Sequence, residues 1–283
     1  MKISKEDQRL FAQYIYELTA ISLDDSKSYL LENRFKGLLQ QENATGFRDL
    51  YNKAKADKSG RLEKAIIDAI TTKETLFFRD KSPFELLKYK IIPDLVDRRR
   101  KPGTGNSPVK IRIWSAACST GQEVYSIAIA LREVLPDLKK YQVSILGTDI
   151  SSEAIARASY GKYNSFEIER GMSGESLRKY FNPTEDGQWR IKDEIRAMAT
   201  FRKQNLMQPF PGFQKYDIIF CRNVAIYFSS EDKKNLFERI AGVLEKDGYL
   251  IIGSTESLTG VTDKLVPKRY MRSIYYQPAG FAG

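Results

Sequence analysis

Three short apolar runs in this chain each end in residues able to handle a ligand. Val143-Ser-Ile-Leu146 leads through Gly147 and Thr148 to Asp149. Lys110-Ile-Arg-Ile-Trp114 leads into the small residues Ser115 to Gly121 and then Gln122-Glu123. Tyr216-Asp-Ile-Ile-Phe220 leads into Cys221-Arg222-Asn223. A carboxylate closing a strand suits a ribose diol, because it accepts from both hydroxyls. Small residues after a strand let the backbone approach a ligand closely. Each feature also has an ordinary reading. Asp149 suits a helix N-cap, and Gln122-Glu123 suits a first helical turn that favours acidic groups. Together, on successive strand ends, they point to a nucleoside ligand. There is no G-x-G-x-x-G fingerprint, and the pattern alone does not say which nucleoside.

The chain contains no histidine. A Ser-His-Asp triad, a Cys-His pair, a His-ligated zinc site and an imidazole switch are all excluded. No metal site is expected.

Strands alternating with helices must carry these ends. After the three runs come a helix over about 123–135, a short helix over 153–159, a helix over 231–244 and a strand over 249–252, with the turn Asp247-Gly248 before that last strand. This alternation predicts an α/β fold with a parallel, doubly wound sheet, whose ligands bind at the carboxyl ends of the strands. Tyr270–Tyr276 reads as a late strand, antiparallel and at or near an edge. A β subdomain is expected as an insertion over about 163–203. Its signals are a short helix at 175–181, the turn Asp186-Gly187 before Trp189 and Ile191, and a return strand over 197–201.

The preceding residues read differently. Apolar stripes such as Leu10, Phe11, Tyr14, Ile15 and Leu18, or Leu31, Phe35, Leu38 and Leu39, predict an all-α domain over 1–82. Thr45 and Ser59 are candidate caps there. Ser82-Pro-Phe-Glu85 has the form of a capping box and opens a helix to about Arg98. Lys101 to Pro108 is loop chemistry. The second domain is expected to span 83–283.

The 283 residues are 42% hydrophobic and 29% charged, with a net charge of +10. No apolar stretch nears the ~18–20 residues of a membrane helix. The opening MKISKEDQRLF lacks a secretory apolar run, and two cysteines cannot staple a chain of this size. A reduced, soluble, cytoplasmic protein is expected. The positive charge implies an anionic partner, and most of it lies after residue 82, with a dense run from Arg98 to Lys101.

Longer strings carry a family resemblance. Thr71-Thr-Lys-Glu-Thr75-Leu-Phe-Phe-Arg79-Asp80 resembles the TTNETxFFR motif of the chemotaxis receptor methyltransferases, the CheR family. Trp114-Ser-Ala-Ala-Cys-Ser-Thr-Gly-Gln-Glu-Val-Tyr-Ser126 resembles their WSAACSTGEEPYS. Gly147-Thr-Asp-Ile150, Gly161-Lys-Tyr163, Asn205-Leu206, Phe220 to Phe228 and Gly253-Ser-Thr-Glu-Ser-Leu258 follow in family order.

The resemblance implies a helical N-terminal domain, a Rossmann-like S-adenosylmethionine-dependent methyltransferase domain and an inserted β subdomain. It implies methyl transfer to glutamate side chains on the cytoplasmic helical domain of a methyl-accepting chemoreceptor, with S-adenosylhomocysteine as the other product. The cofactor positions carry over to Thr75, Arg79, Gln122, Glu123, Asp149, Asn205, Leu206, Arg222 and Asn223. Asp149 would accept from the ribose, and Gln122 or Glu123 would meet the methionine ammonium. Arg79 would reach the methionine carboxylate. Asn205 would read the adenine edge with Leu206 packing nearby, and Asn223 would hold the methionine portion. Tyr227 would lie near the reacting centre. No acid or base is assigned, because a glutamate acceptor, with a pKa of about 4.3, is already ionised at neutral pH. Lys73, Gln122, Val124 and Ser254-Thr255 depart from the family strings.

Arg98, Arg99 and Arg100 are read either as a solvated helix end or as a receptor-docking patch beside the cofactor mouth. Arg34 and Lys36 are similar candidates on the second helix. The compact turn 182–189 is expected to make the chain independent of a receptor pentapeptide tether. Two other readings compete. One is a nucleic-acid methyltransferase, from the net charge, although no nucleic-acid module is evident. The other is a catalytically weak cofactor-sensing module, from Lys73 and Gln122.

Overall fold

The computed structural model describes residues 2–100, 107–135 and 137–281. Lys101 and most of the expected 101–108 loop lie outside the described residues.

Four helices open the chain: α1 (Lys5–Thr19), α2 (Ser28–Gln41), α3 (Phe47–Ala56) and α4 (Arg61–Ile70). Their apolar stripes close on one core containing Phe11, Ile15, Leu31, Phe35, Leu50 and Ile66. Phe11 meets Phe35 and Phe47 edge-on at 4.9 and 5.5 Å, the geometry that the ring quadrupoles favour. Ser59 Oγ accepts from the Arg61 amide at the start of α4 at 3.2 Å, as expected, whereas Thr45 caps nothing and α3 starts after Gly46 without a side-chain cap. Asp49 accepts from the Thr45 amide at 2.9 Å, and Asp57 accepts from the Leu62 amide at 2.8 Å. At α4 the Asp57 carboxylate adds a charge-assisted bond beside the Ser59 hydroxyl, so two of the first amides are satisfied.

Ser82 begins α5 (Ser82–Leu86), which runs through a wide turn at Leu87–Ile91 into α6 (Ile92–Arg99). Ser82 makes no side-chain cap bond. The wide turn has its cause in Pro93, which has no N–H to donate backward and crowds the preceding turn. The Tyr89 carbonyl, freed by Pro93, accepts from the Tyr270 hydroxyl at 3.5 Å.

The remaining elements follow in the order β1 (Val109–Ala116), α7 (Gln122–Val134), β2 (Tyr141–Asp149), α8 (Ser152–Tyr160), β3 (Lys162–Tyr163), α9 (Ser165–Glu169), α10 (Gly174–Tyr180), β4 (Phe181–Pro183), β5 (Trp189–Ile191), α11 (Asp193–Arg196), β6 (Ala199–Lys203), β7 (Tyr216–Cys221), α12 (Ser230–Val243), β8 (Leu244–Ile252), β9 (Leu265–Tyr270) and β10 (Ser273–Pro278). Seven strands form one sheet in the order β6-β2-β1-β7-β8-β10-β9. The first five are parallel, and β10 and β9 are antiparallel additions. Both faces are covered, one by the core that includes Ile111, Ile113 and Phe220, the other by the core that includes Trp114, Ile219 and Leu250. Burial on both faces explains why Tyr216-Asp-Ile-Ile-Phe-Cys221 is buried throughout.

Two expectations are corrected. The return strand of the insertion is not a return strand. Ala199–Lys203 pairs in parallel with β2 and forms the edge of the main sheet. The small sheet is β3-β5-β4, and its third strand is Phe181–Pro183, read from the sequence as a helix end. The insertion therefore closes near residue 196 rather than 203. Alternation says which side chains share a face but not which strand will be the partner. Here Phe201 lies against Gly147, where an added Cβ would come within 2.7 Å of its ring, and beside Tyr125 at 5.7 Å. The second correction concerns only the start of the late strand: β10 is antiparallel and next to the edge, as expected, but begins at Ser273 and forms a hairpin with β9. The hairpin turns at Met271-Arg272, with Met271 in the left-handed region.

Residues 71–81 cross from α4 to α5. Phe77 is fully buried, edge-on to Tyr163 at 5.0 Å and to Phe181 at 5.5 Å. The Phe78 amide donates to Ser126 Oγ at 2.9 Å. The crossing segment is thus locked between the main sheet domain and the inserted subdomain.

Candidate functional site

Sheet order reverses between β1 and β7, because the chain builds outward through β2 and β6 before returning. The crevice outside the carboxyl ends of strands at such a switch is where open α/β sheets bind ligands. A cavity of about 430 Å3 opens there, within the ~300–1,000 Å3 of small-molecule sites. Thr75, Arg79, Glu123, Asp149, Asn205, Leu206, Arg222, Asn223 and Tyr227 all line it. Gln122 does not. Its side chain is buried, accepts from Thr120 Oγ1 at 2.8 Å, and turns its Nε2 toward Glu167 at 3.5 Å. The amide that replaces the family's first glutamate therefore faces the inserted subdomain and alters no charge on the cavity wall.

Asp149 ends β2 with both oxygens anchored. Oδ2 accepts from the Ser119 amide and Oδ1 from the Ser151 amide, each at 2.9 Å. The N-cap alternative is taken by a neighbour, since Ser151 caps α8 through the Ala154 amide at 3.0 Å. Burial pushes the Asp149 carboxyl above its ordinary value, against the opposing pull of those amides and of the Lys73 charge. Lys73 itself pairs with Glu153 and lies outside the cavity lining. The loop from β1 that brings Ser119 to Asp149 is sharply bent. Ala117 and Ser119 are left-handed, and Gly121 has φ +95°. A Cβ on Gly121 would stand 2.9 Å from Ala158 Cβ, so only glycine allows α7 and α8 to approach here.

At the other end, the Arg222 guanidinium is buried, its side chain only 1% exposed, and it links three parts of the wall. Nη1 donates to Glu123 Oε2 at 2.8 Å, while Nη2 donates to Asp80 Oδ2 at 2.8 Å and to the Arg79 carbonyl at 2.9 Å. Glu123 Oε1 also accepts from Ser115 Oγ at 2.8 Å. The Arg79 side chain makes one weak bond, to the Glu74 carbonyl at 3.3 Å, and has no carboxylate partner among the described residues. A free guanidinium fork therefore stands on the wall.

Asn223 follows β7 with φ +56°. Its amide and that of Gly253 donate to Glu256 Oε2 at 2.7 and 2.8 Å. A Cβ on Gly253 would fall 2.4 Å from that oxygen, so this carboxylate clamp requires glycine. The Asn205 side chain donates to the Leu18 carbonyl and accepts from the Met207 amide, both at 2.9 Å. It ties the cavity floor to the helical domain.

That tie introduces a wall that sequence reasoning missed. Thr19, Ile21, Leu23, Lys27, Tyr29 and Leu30 line the same cavity. They follow α1 or open α2, where the apolar stripes had already been assigned to the helical core. Nothing in their spacing marks a ligand wall. The Ser22 amide donates to the Tyr227 carbonyl at 3.2 Å, and Tyr16 donates to Asp232 at 2.8 Å. These bonds hold the wall in place. Tyr29, Ile226 and Tyr227 are exposed and mark the mouth.

The receptor-patch expectation for Arg98, Arg99 and Arg100 is corrected. They stand at the opposite pole, beside the amino ends of the strands. Arg98 pairs with Asp247 and the Tyr249 hydroxyl, Arg99 with Asp217 and Asp247, and Arg100 donates to Tyr141 at 2.7 Å. The buried Asp217 carboxylate is held by Arg99 together with Arg112. Arg34 spends its guanidinium on the Ile70 carbonyl and Thr72, while Lys36 is exposed. Cys118 and Cys221 are free, buried thiols, both pushed up by burial.

Comparison with known proteins decides the family. Residues 73–272 match the CheR methyltransferase SAM binding domain, and residues 6–71 match the CheR methyltransferase all-alpha domain. The chain belongs to the CheR methyltransferase family. It is similar to chemotaxis protein methyltransferase Cher2 of Pseudomonas putida, 38% identical over 98% of this chain and 99% of that protein. The chemotaxis protein methyltransferase of Vibrio parahaemolyticus is 39% identical over 97% of this chain and 98% of that protein. Among solved structures, magnesium protoporphyrin IX methyltransferase of Synechocystis shows a distant likeness. Its identity is 15% and its TM-score 0.38, over 86% of this chain and 94% of that one.

The CheR chain is thus an S-adenosylmethionine-dependent methyltransferase of chemotaxis. Its cavity suits that cofactor. Asp149 keeps acceptor capacity beyond its two amide bonds, and the Arg79 guanidinium has no carboxylate partner among the described residues. Glu123, paired with Arg222, also lines the wall.

Proposed function

We propose that this CheR chain esterifies glutamate side chains on the cytoplasmic helical domain of a methyl-accepting chemoreceptor. The observation that carries the proposal is the cavity at the sheet switch, with Asp149 at one end, Arg79 at the other and a mouth at Tyr29, Ile226 and Tyr227. When bound, S-adenosylmethionine supplies a methyl group on a sulfonium sulfur. In this reading Asp149 holds the ribose, Arg79 the methionine carboxylate, and Glu123 with Asn223 the ammonium end. Leu206 packs against the base. Thr75 borders the tail, and Tyr227 stands where the acceptor enters.

No side chain of the chain has to move a proton. A glutamate acceptor, with a pKa of about 4.3, arrives ionised, which suits a chain without histidine. The work left to the protein is alignment and removal of water from the approaching charges. The apolar wall of Ile21, Leu23 and Leu30 does the second. The net charge of +10 suits an acidic helical partner. No helix of the described residues is long and apolar enough to cross a membrane. Lys36, exposed on α2, is a cation available for that contact. The compact turn 184–188 around Gly187 supports docking without a pentapeptide tether.

The test is transfer of radiolabelled methyl from S-adenosylmethionine to a receptor cytoplasmic fragment. Label released as methanol in base marks a carboxyl ester. Base-stable label would move the acceptor to nitrogen. Absence of label on receptors with ionised glutamates would remove the proposal.

A further inference from the structure

Three residues around Arg79 are strained. Phe78, Asp80 and Lys81 have φ of +50°, +64° and +29°. None is glycine, and the left-handed region costs a non-glycine residue about 1 kcal/mol or more. Such a run persists only where its surroundings over-determine it. The bonds around it identify what does so. The Phe78 amide is held by Ser126 Oγ at 2.9 Å. Beyond Arg79, the buried Arg222 guanidinium grips the Arg79 carbonyl at 2.9 Å and the Asp80 carboxylate at 2.8 Å with the same nitrogen. Its other terminal nitrogen is held by Glu123 at 2.8 Å. Asp80 also accepts from Ser254 Oγ at 3.4 Å. Asp80 lines no part of the cavity.

We propose that Asp80 is a positioning residue for cofactor binding. It locks the strained turn onto Arg222 so that the Arg79 fork stands ready for the carboxylate of the cofactor's amino-acid end. Without Asp80 the turn relaxes, and Arg79 must be ordered at the expense of binding. The nucleoside end, held by Asp149 at the end of β2, does not sense this change. The proposal rests on the placement of Arg79 against the methionine carboxylate, and the experiment separates the two claims.

Two ligands are titrated by calorimetry: S-adenosylhomocysteine, which carries the amino-acid tail, and 5′-methylthioadenosine, which lacks it. The proteins are wild type, Asp80→Ala, Asp80→Asn, Arg79→Ala and Asp80→Ala/Arg79→Ala, each checked for an intact thermal transition. Asp80→Ala is expected to weaken S-adenosylhomocysteine about tenfold and to leave methylthioadenosine within twofold. The double variant is expected to bind no more weakly than Arg79→Ala alone, because Asp80 acts through Arg79. Asp80→Asn keeps the shape and one acceptor, so it should show the same selectivity at smaller size, and it is the variant read if Asp80→Ala does not fold. Equal loss of both ligands, no loss of either, or additive losses in the double variant would overturn the proposal. If Arg79→Ala itself fails to discriminate the ligands, the placement of Arg79 falls and the proposal with it.

Discussion

Asp149→Ala separates affinity from stability more cleanly than any other substitution in this chain. The carboxylate accepts from Ser119 and Ser151 and has lone pairs left for two hydroxyls. Each hydroxyl bond to a charged acceptor contributes about 1.5 kcal/mol or more, so the pair contributes about 3 kcal/mol. At about 1.4 kcal/mol per decade, the S-adenosylhomocysteine dissociation constant should rise roughly 100-fold. The ligand-free protein should not follow. Burial holds the Asp149 carboxyl above its unfolded value. Between the unfolded and the raised folded pKa, the native state binds more protons than the unfolded chain. This group therefore lowers stability as pH rises through that window, and its charged form is a cost at neutral pH. Removing the charge offsets part of what the two orphaned amides lose. The variant should melt within a few degrees of wild type, by calorimetry in the absence of ligand. Ribose hydroxyls favour the charged carboxylate, so wild-type affinity should also fall as pH drops through the raised pKa, whereas the affinity of Asp149→Asn should not. Retention of S-adenosylhomocysteine binding within threefold in Asp149→Ala would refute this placement of the nucleoside.

Gln122→Glu, which restores the family residue, should leave S-adenosylhomocysteine affinity within twofold and lower stability by about 1 kcal/mol, because it sets a second carboxylate against Glu167; calorimetry and urea unfolding read the two effects. Gly253→Ala should destabilise by about 2 kcal/mol in urea titrations and weaken the same ligand, because its Cβ displaces the Glu256 carboxylate that holds Asn223. Arg99→Ala should cost about 1 kcal/mol of stability, because it strips one of two cations from buried Asp217 while Arg112 stays paired with it. Its KM for the receptor fragment should stay unchanged, since Arg99 is at the far pole from the cavity.

Much of the site was legible because strand ends in a parallel sheet converge by topology. Once β1, β2 and β7 were read from their apolar runs, Glu123, Asp149 and Asn223 had to meet at one edge. What was not legible depended on facing and pairing. Gln122 and Glu123 are neighbours in sequence but lie about 100° apart around a helix, so only one of them faces the cavity. Ala199–Lys203 alternates equally well for a local hairpin or a distant parallel partner, and the room left by Gly147 decides between them. The basic run at Arg98 looked like free charge because its partners, Asp217 and Asp247, are more than a hundred residues away. The wall from Thr19 to Leu30 left no trace in periodicity, since it joins the end of α1, a loop and the first turn of α2.

The crossing segment 71–81 bears on how the polypeptide can be dissected. Its residues connect the two matched family regions, yet they also carry Thr75 and Arg79 into the crevice and bury Phe77 beneath the inserted sheet. The joint between modules is therefore itself part of the reaction vessel. A fragment cut at the boundary near residue 72 would retain the sheet but lose the lid supplied by the first helices. Grafting a foreign helical module onto it would have to reproduce the seam at Leu18, Ser22 and Tyr227 before the chamber could close.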